Sequence, residues 1–525
     1  MDSSKIKLIL ILGLALLFSL YLGVAAATAQ LEAVIWVAGG VFLAVCFALG
    51  RHVWILIPMT MGMKGGLNFI PGSPTPWQLM TAVVAGILML RILMRTHRVR
   101  YRWTGMDTAV LLVALTILQA FLRNPTGVAL LGGDLAGGKP YFVFGVALVA
   151  FAVISLADAD FRSWKWAVSG YVLFSLVDAL INLVSGLSPA FATLMIRFYS
   201  NVSIDAATQL GYQGDAFETR ISQFAQLGGV LSLIACSYWR PLAALDFTKP
   251  WRAVIALGGI LATLLSGFRG AVAMVVVYFV VGSTLRRKPL DAVVIGILGL
   301  LVAAIVVLAV PASSLPYSVQ RVFSVIPGYA RGDISTEAQD SKDLRFEMWQ
   351  LALSGDRFIR NKTLGDGFQF TAAEFRAREA MRLGDYQFSG GMTTIEMMMI
   401  TGSYHGFHVE TIRFTGVVGL LAATGALIVF AVFASRCIRA YRGQAGWGHV
   451  IFFCMPFLIH PLWYWLVFGN YRGDFAALIA TAGMVKLLYL NRGLESVSQL
   501  VPSATPPLVG QIPRTPARFA YRQRS

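Results

Sequence analysis

The sequence predicts an all-α polytopic membrane protein of about 14 transmembrane helices with one large helical loop between spans. Three observations predict it. Hydrophobic residues make up 57% of the 525 and charged residues only 13%, where an ordinary soluble domain carries about 25% charged residues. Apolar runs of about 18 residues or more recur along the chain. The basic residues gather beside those runs, at alternate connectors, as cytoplasmic loops do. A large soluble helical protein would need water-facing helical faces, and the apolar runs have none.

The expected spans are 6–27, 31–50, 53–70, 76–94, 105–122, 140–157, 165–186, 222–239, 251–267, 270–284, 290–311, 413–435, 448–468 and 472–490. The third is rich in Gly and Met around Met59 to Gly66 and carries Lys64. The pair at 251–284 also reads as one broken hairpin. Residues 1–29 have the outline of a secretory signal: Lys5 and Lys7, an apolar run, then Ala25-Ala26-Ala27-Thr28-Ala29. The run of about twenty residues is long for a signal core, so a retained first span is expected. With the N-terminus inside, alternation puts 95–104, 240–250, 285–289, 436–447 and the C-terminal segment in the cytoplasm, and each is basic. It puts 71–75, 123–139, 187–221 and 312–412 outside. The chain therefore divides into a transmembrane bundle (1–311), a large loop (312–412), C-terminal helices (413–490) and a Pro-, Ser-, Thr- and Arg-rich tail (491–525) expected to be disordered.

The net charge of +17 does not signal nucleic-acid binding. Arg91, Arg95, Arg98, Arg100 and Arg102 crowd one connector, Arg286, Arg287 and Lys288 another, and Arg436, Arg439 and Arg442 a third. No nucleic-acid motif accompanies them, and acidic membrane lipids are the expected partner. None of Cys46, Cys236, Cys437 and Cys454 lies in the large loop, so no disulfide staples it. The one DxD-like triplet, Asp158-Ala159-Asp160, falls on the cytoplasmic side and reads as a solvated loop. No metal and no cofactor are expected.

The large loop holds 10 Lys/Arg and 12 Asp/Glu, so it is not a positive-inside loop. Leu344 to Ser354 has helical apolar spacing, Thr371 to Glu374 resembles a capping box opening a helix toward Met381, and a third helix is expected from Thr393. Gly365-Asp366-Gly367 reads as the turn between the first two. Arg269 stands at the outer end of a span among small neighbours, Arg220 enters the eighth span from outside, and Arg345 shares that membrane face. An arginine near membrane depth is costly and is usually functional or paired. Lys64, in the outer half of its run, needs an anion or carboxylate partner. Such cations form an outward-facing site for a phosphorylated, membrane-embedded ligand, because guanidinium forks match phosphate oxygens. If a sugar leaves a diphosphate there, fixed cations facing the leaving group lower the barrier without a metal. His405 and His408 close the loop, followed by Glu410. An imidazole can take the proton of an acceptor hydroxyl near neutral pH. The His-x-x-His pair has no convincing third ligand for zinc.

Three segments in order resemble the O-antigen ligase and polymerase superfamily. The first is Leu265-Ser266-Gly267-Phe268-Arg269-Gly270-Ala271, similar to that family's Ser-Arg-Gly at the head of a span. The second is Arg345 to Leu353 (RFEMWQLAL) followed by Leu364-Gly365-Asp366-Gly367-Phe368. The third is His405 with Gly416 and Gly419 downstream. The chain departs from the pattern at Gly406, where Asn is usual, at His408, where an aromatic is common, and at Phe268 before Arg269. The resemblance runs from about Arg220 to Gly419.

The resemblance implies a C-type glycosyltransferase-like enzyme of the bacterial inner membrane with its large loop in the periplasm. It would transfer a glycan from a polyprenyl diphosphate carrier to a carrier-linked repeat unit or to the lipid A core. On that implication Arg220, Arg269 and Arg345 hold the donor diphosphate, and His405 orients or deprotonates the acceptor hydroxyl. Lys64 joins the diphosphate site, and Glu410 and His408 the acceptor side, by position. The alternative is a polytopic transporter or flippase for a lipid-linked glycan. No internal repeat favours it, though the Gly-rich third span does. Ligase and polymerase are not separated, and the number of spans leans toward polymerase.

Overall fold

The computed structural model describes residues 39–40, 46, 48–96, 101–126, 138–202, 222–324, 326, 329, 332–368, 399, 402 and 404–491, except the side chains of 161, 189, 222 and 332–342. The described chain is helical, and its one β contact is an isolated bridge between Leu67 and Tyr199. A 3₁₀ segment Gly50–Ile55 runs into α1 (Leu56–Thr60), followed by α2 (Pro76–Leu93), α3 (Gly105–Arg123), α4 (Gly138–Ser155), α5 (Phe161–Leu187) and α6 (Pro189–Ile196). Then come α7 (Ser222–Tyr238), α8 (Pro250–Leu265), α9 (Arg269–Leu285) and α10 (Pro289–Ala309). The loop region contributes α11 (Tyr317–Phe323) and α12 (Gly332–Ser354). The C-terminal part is α13 (Phe407–Ala440), α14 (Trp447–Leu466), a π turn Tyr471–Phe475 and α15 (Ala476–Asn491).

The starts of these helices are written in the sequence. Proline stands first in α2, α6, α8 and α10, where its missing N–H is no loss and its fixed φ suits a helix. Gln78 reaches back to the Thr75 N–H (2.9 Å) to close the head of α2. Asp160 accepts from the Ser163 N–H (2.8 Å) and hydroxyl (2.6 Å) at the head of α5. Between them the apolar runs leave no polar face to water, so they pack on each other or face lipid.

Among the described residues, eight helices are long and apolar enough to cross a membrane: α2, α3, α4, α5, α10, α13, α14 and the stretch Tyr471–Asn491. The chain is a multi-pass helical membrane protein. Against the expectation of about 14 spans, α7, α8 and α9 have 17, 16 and 17 residues, short for a full crossing at about 1.5 Å per residue. The 251–284 pair is two separate helices joined by a turn at Gly267 (φ +72°). The first expected span and most of the second lie outside the described residues. The third, 53–70, is corrected: the helix stops at Thr60 and the chain continues as irregular backbone to Thr75. Gly62, Gly65 and Gly66 explain the break, since a Cβ on any of them would lie within 2.5 Å of a neighbouring group.

The connectors sort onto two faces. On one, Arg51 pairs with Asp160 (3.4 Å), Arg240 grips Asp291 with two bonds of 2.6 Å, and Arg286 donates to Ser237 O (2.6 Å). Arg442 donates to Leu285 O (3.1 Å) and Lys486 pairs with Asp107 (2.5 Å) on the same face. On the other, Gly267 packs on Ser318, Arg123 donates to Leu364 O (2.6 Å), and Trp349 to Tyr404 O (2.8 Å). Small residues let neighbours close up: a Cβ on Gly228 of α7 would meet Thr263 Oγ1 of α8 at 2.1 Å, and one on Gly483 of α15 would meet Phe151 O of α4 at 2.8 Å. The four cysteines are buried and free.

Candidate functional site

The loop face is organised around a break in α13. Gly416 has φ +75° and ψ −177°, a conformation open essentially to glycine alone. The break is filled by the Gly365-Asp366-Gly367 segment. Asp366 N–H and Gly367 N–H donate to Arg413 O (2.8 Å) and Phe414 O (3.0 Å), while Val417 N–H and Val418 N–H donate to Lys362 O (2.8 Å) and Thr363 O (3.2 Å). Gly365 and Gly367 both have φ +75°. The Asp366 carboxylate accepts from the N–H groups of Arg360 (2.9 Å) and Asn361 (2.8 Å) and pairs with the buried Arg413 guanidinium (2.9 Å). Arg123 and Asn124, at the end of α3, hold the carbonyls of Leu364, Gly365 and Asp366 at 2.6–2.9 Å. The expected turn is therefore a strap threaded into a transmembrane helix. It orients the half-helix Phe407–Thr415.

At the head of that half-helix stands His405, held at φ +49° with its ring tilted against Phe468 (6.4 Å). Trp349 of α12 lies over the next residue. A Cβ on Gly406 would sit 2.8 Å from the indole, whose Nε1–H donates to Tyr404 O (2.8 Å). The indole edge also meets the His408 ring at 4.6 Å, and His408 stacks on Trp465 at 5.9 Å. Arg345 is half-buried one turn before Trp349, and residues four apart share a helix face. The second and third sequence motifs thus meet through Trp349. The first adjoins them: Arg269 is the first residue of α9, the preceding Gly267 packs on Ser318 of α11, and α11 packs on α12. Arg220 lies outside the described residues, as do the helices expected from Thr371 and Thr393. The helix expected at Leu344–Ser354 is the last part of α12, which starts at Gly332.

Two further sequence candidates are Glu410 and Lys64. Glu410, 3% exposed, turns inward, and its Oε2 accepts the Tyr471 N–H (2.9 Å) at the head of the last helix. That bond gives it an anchoring role. Lys64 is exposed and lies in the irregular segment after α1, where its charge reaches Tyr171, Asp178 and His460. Through His460, whose ring meets Tyr464 (4.9 Å), it is linked to Phe407 (5.0 Å from Tyr464), two residues after His405. The Asp158-Ala159-Asp160 triplet is no open chelate. Burial opposes ionisation of Asp160, but the bonds from the Ser163 hydroxyl and N–H outweigh it, and with His52 and Arg51 they hold the carboxyl below the usual carboxylate range.

Sequence reasoning missed Arg413 and Arg472. Arg472 donates to Gly402 O (3.2 Å) and lies 5.0 Å over the Phe414 ring. Their signal was present, as arginines near the loop-face ends of α13 and of the last helix, the kind of position that singled out Arg269.

No family model matches the chain, and no curated protein matches it in sequence.

Proposed function

We propose that this protein is a membrane-embedded, metal-independent glycosyltransferase of the O-antigen ligase and polymerase type. It would move a saccharide from a polyprenyl diphosphate carrier to an acceptor hydroxyl, on a carrier-linked repeat unit or the lipid A core, at the outer face of the bacterial inner membrane. The observation that carries the proposal is the seating of Trp349 on Gly406, which joins the helix bearing Arg345 to the loop bearing His405. Arg269 at the head of α9, Arg345 and Arg220 would face the diphosphate. Fixed guanidinium groups in a site shielded from water stabilise the charge that grows on a departing diphosphate. His405 would take the proton of the attacking hydroxyl, and displacement at the anomeric carbon would invert its configuration.

A transport reading draws on one observation, the broken third span, because transporters often use interrupted helices at their binding sites. The two readings separate in a strain lacking the gene and complemented with variants. Arg269→Ala and His405→Ala, present in the membrane at wild-type level, are expected to abolish long-chain surface glycan while the lipid-linked donor accumulates on the outer leaflet. Normal glycan in both variants rejects the transferase. Donor trapped on the inner leaflet favours the transporter.

A further inference from the structure

The face opposite the loop carries a cleft between the 3₁₀ segment Gly50–Ile55 and α2, lined by Arg51, Trp54, Val84, Leu88, Arg91 and Asp158. Val84, Leu88 and Arg91 follow at helical spacing on α2, so one helix supplies both an apolar wall and a cation. The neighbours of Arg91 in sequence are apolar and turned outward: Met89, Leu93 and Met94 are 63%, 68% and 54% exposed. The cleft therefore lies at the lipid-facing end of a spanning helix, at headgroup depth.

Three features set this cleft apart from the purely basic connectors. It brings both signs of charge together, Arg51 and Arg91 with the exposed Asp158. Arg51 also pairs with Asp160 (3.4 Å), which engages only part of its guanidinium fork. The wall contains a buried donor: Trp54 is 1% exposed, its ring meets Trp164 edge-on at 5.0 Å, and its Nε1–H has no hydrogen-bond partner among the described residues. A buried N–H left in that state is costly. The enclosed space is about 20 Å³, room for one small group and not for a whole soluble molecule. A ligand that keeps most of its bulk in the bilayer meets that limit.

We propose that the cleft binds an aminophospholipid of the phosphatidylethanolamine class. The phosphate lies between Arg51 and Arg91, whose forks match its oxygens. The ammonium meets Asp158, and one lipid oxygen enters the cleft and accepts the Trp54 N–H. The acyl chains stay in the bilayer along the apolar wall of α2. A phosphatidylglycerol headgroup has no cation for Asp158, and a choline headgroup has no N–H to donate to it.

The test is native mass spectrometry of the full-length protein in detergent, titrated with palmitoyl-oleoyl phosphatidylethanolamine, phosphatidylglycerol or phosphatidylcholine. One saturable phosphatidylethanolamine site is expected, roughly fivefold tighter than binding of either other lipid. Arg91→Gln should weaken it about tenfold. Trp54→Phe, which removes only the indole N–H, should weaken it about threefold. Asp158→Asn should abolish the preference for ethanolamine over glycerol; at an exposed position, it carries the test should Arg91→Gln fail to fold. Equal uptake of the three lipids overturns the proposal. A preference for phosphatidylglycerol shows a contact with acidic lipid instead, and also overturns it. So does unchanged binding in Trp54→Phe, which leaves the indole to a water. The measurement reads binding without turnover, so it stands or falls apart from the transferase proposal.

Discussion

Replacing Gly416 by Ala sets three effects against one another. A Cβ at this position would lie 2.1 Å from Thr363 O and 2.3 Å from its carbonyl carbon. Both are backbone atoms, so no side-chain rotation relieves the overlap. A non-glycine residue at φ +75° and ψ −177° adds about 1–3 kcal/mol of strain. The strap must therefore leave. Its departure loses four backbone hydrogen bonds at about 0.5–1.5 kcal/mol each, roughly 2–6 kcal/mol together. Alanine's helix preference over glycine returns about 1 kcal/mol by letting α13 run straight. The net cost is about 1–5 kcal/mol, and it falls on docking of the strap rather than on the bundle. A cost near 3 kcal/mol raises the undocked population roughly 100-fold. Limited trypsin digestion at Arg360 and Lys362 should accelerate accordingly, since cleavage follows the open population when reclosing is fast. Gly425→Ala is the control, because nothing lies within 4 Å of its Cβ position. A Gly416→Ala cleavage rate within about twofold of wild type would refute the argument that the strap is clamped in the break.

Two further outcomes follow from the opposite face. Lys486, 0% exposed, pairs with Asp107 at 2.5 Å and lies 3.8 Å from the Tyr101 ring centroid. Lys486→Met leaves that carboxylate buried and unpaired and should cost about 3–5 kcal/mol in chemical unfolding, while Lys486→Met with Asp107→Leu recovers most of it; equal losses in single and double variants would contradict this. Asp160 titrates below the ordinary carboxylate range, so its contribution to the head of α5 is present above the unfolded-state pKa and fades as pH falls through the folded one. Hydrogen exchange at the Ser163 amide should quicken in that acid window for the wild type and be already fast, without the pH step, in Asp160→Ala.

Much of this architecture was legible because membrane helices declare themselves by composition. The apolar runs gave α2 to α5 and α13 to α15 nearly to the residue at several ends. What failed is instructive. The third run averages apolar enough to span, yet Gly62, Gly65 and Gly66 sit where Tyr171, Tyr199 and Ser73 come within contact of the backbone. Close approach is a tertiary fact that hydropathy averages over. Gly365-Asp366-Gly367 was legible as a turn but not as a strap, because its partners, Arg413 to Val418, are about fifty residues downstream. Position after His405 and His408 put Glu410 among the acceptor-side candidates and said nothing of its burial. Helical geometry turns it inward, since it lies on the face that meets Tyr471. The spacing from His405 to Gly416 and Gly419 now has a physical content. Gly416 admits the strap, and a Cβ on Gly419 would lie 1.9 Å from Thr415 Oγ1.

Gly406, where the resembling family carries Asn, yields the sharpest local test. The side chain that would occupy this position meets Trp349, which already supplies a donor to the loop through its 2.8 Å bond to Tyr404 O. Trp349 thus occupies the space beside His405 that an amide would fill. Gly406→Asn should displace the indole and forfeit that bond, leaving the buried Tyr404 carbonyl short of a partner at about 1–3 kcal/mol. Trp349→Ala alone opens a cavity and forfeits the same bond. In the double variant the clash is gone and the new amide has room to serve the loop, so the two losses should not add. A double-mutant cycle in Tm and in glycan transfer reads the coupling directly, with an interaction of about 0.5–3 kcal/mol expected for residues in contact. Strict additivity would mean that Trp349 does not stand in for the missing amide. The joining of the Arg345 helix to the His405 loop would then need another cause.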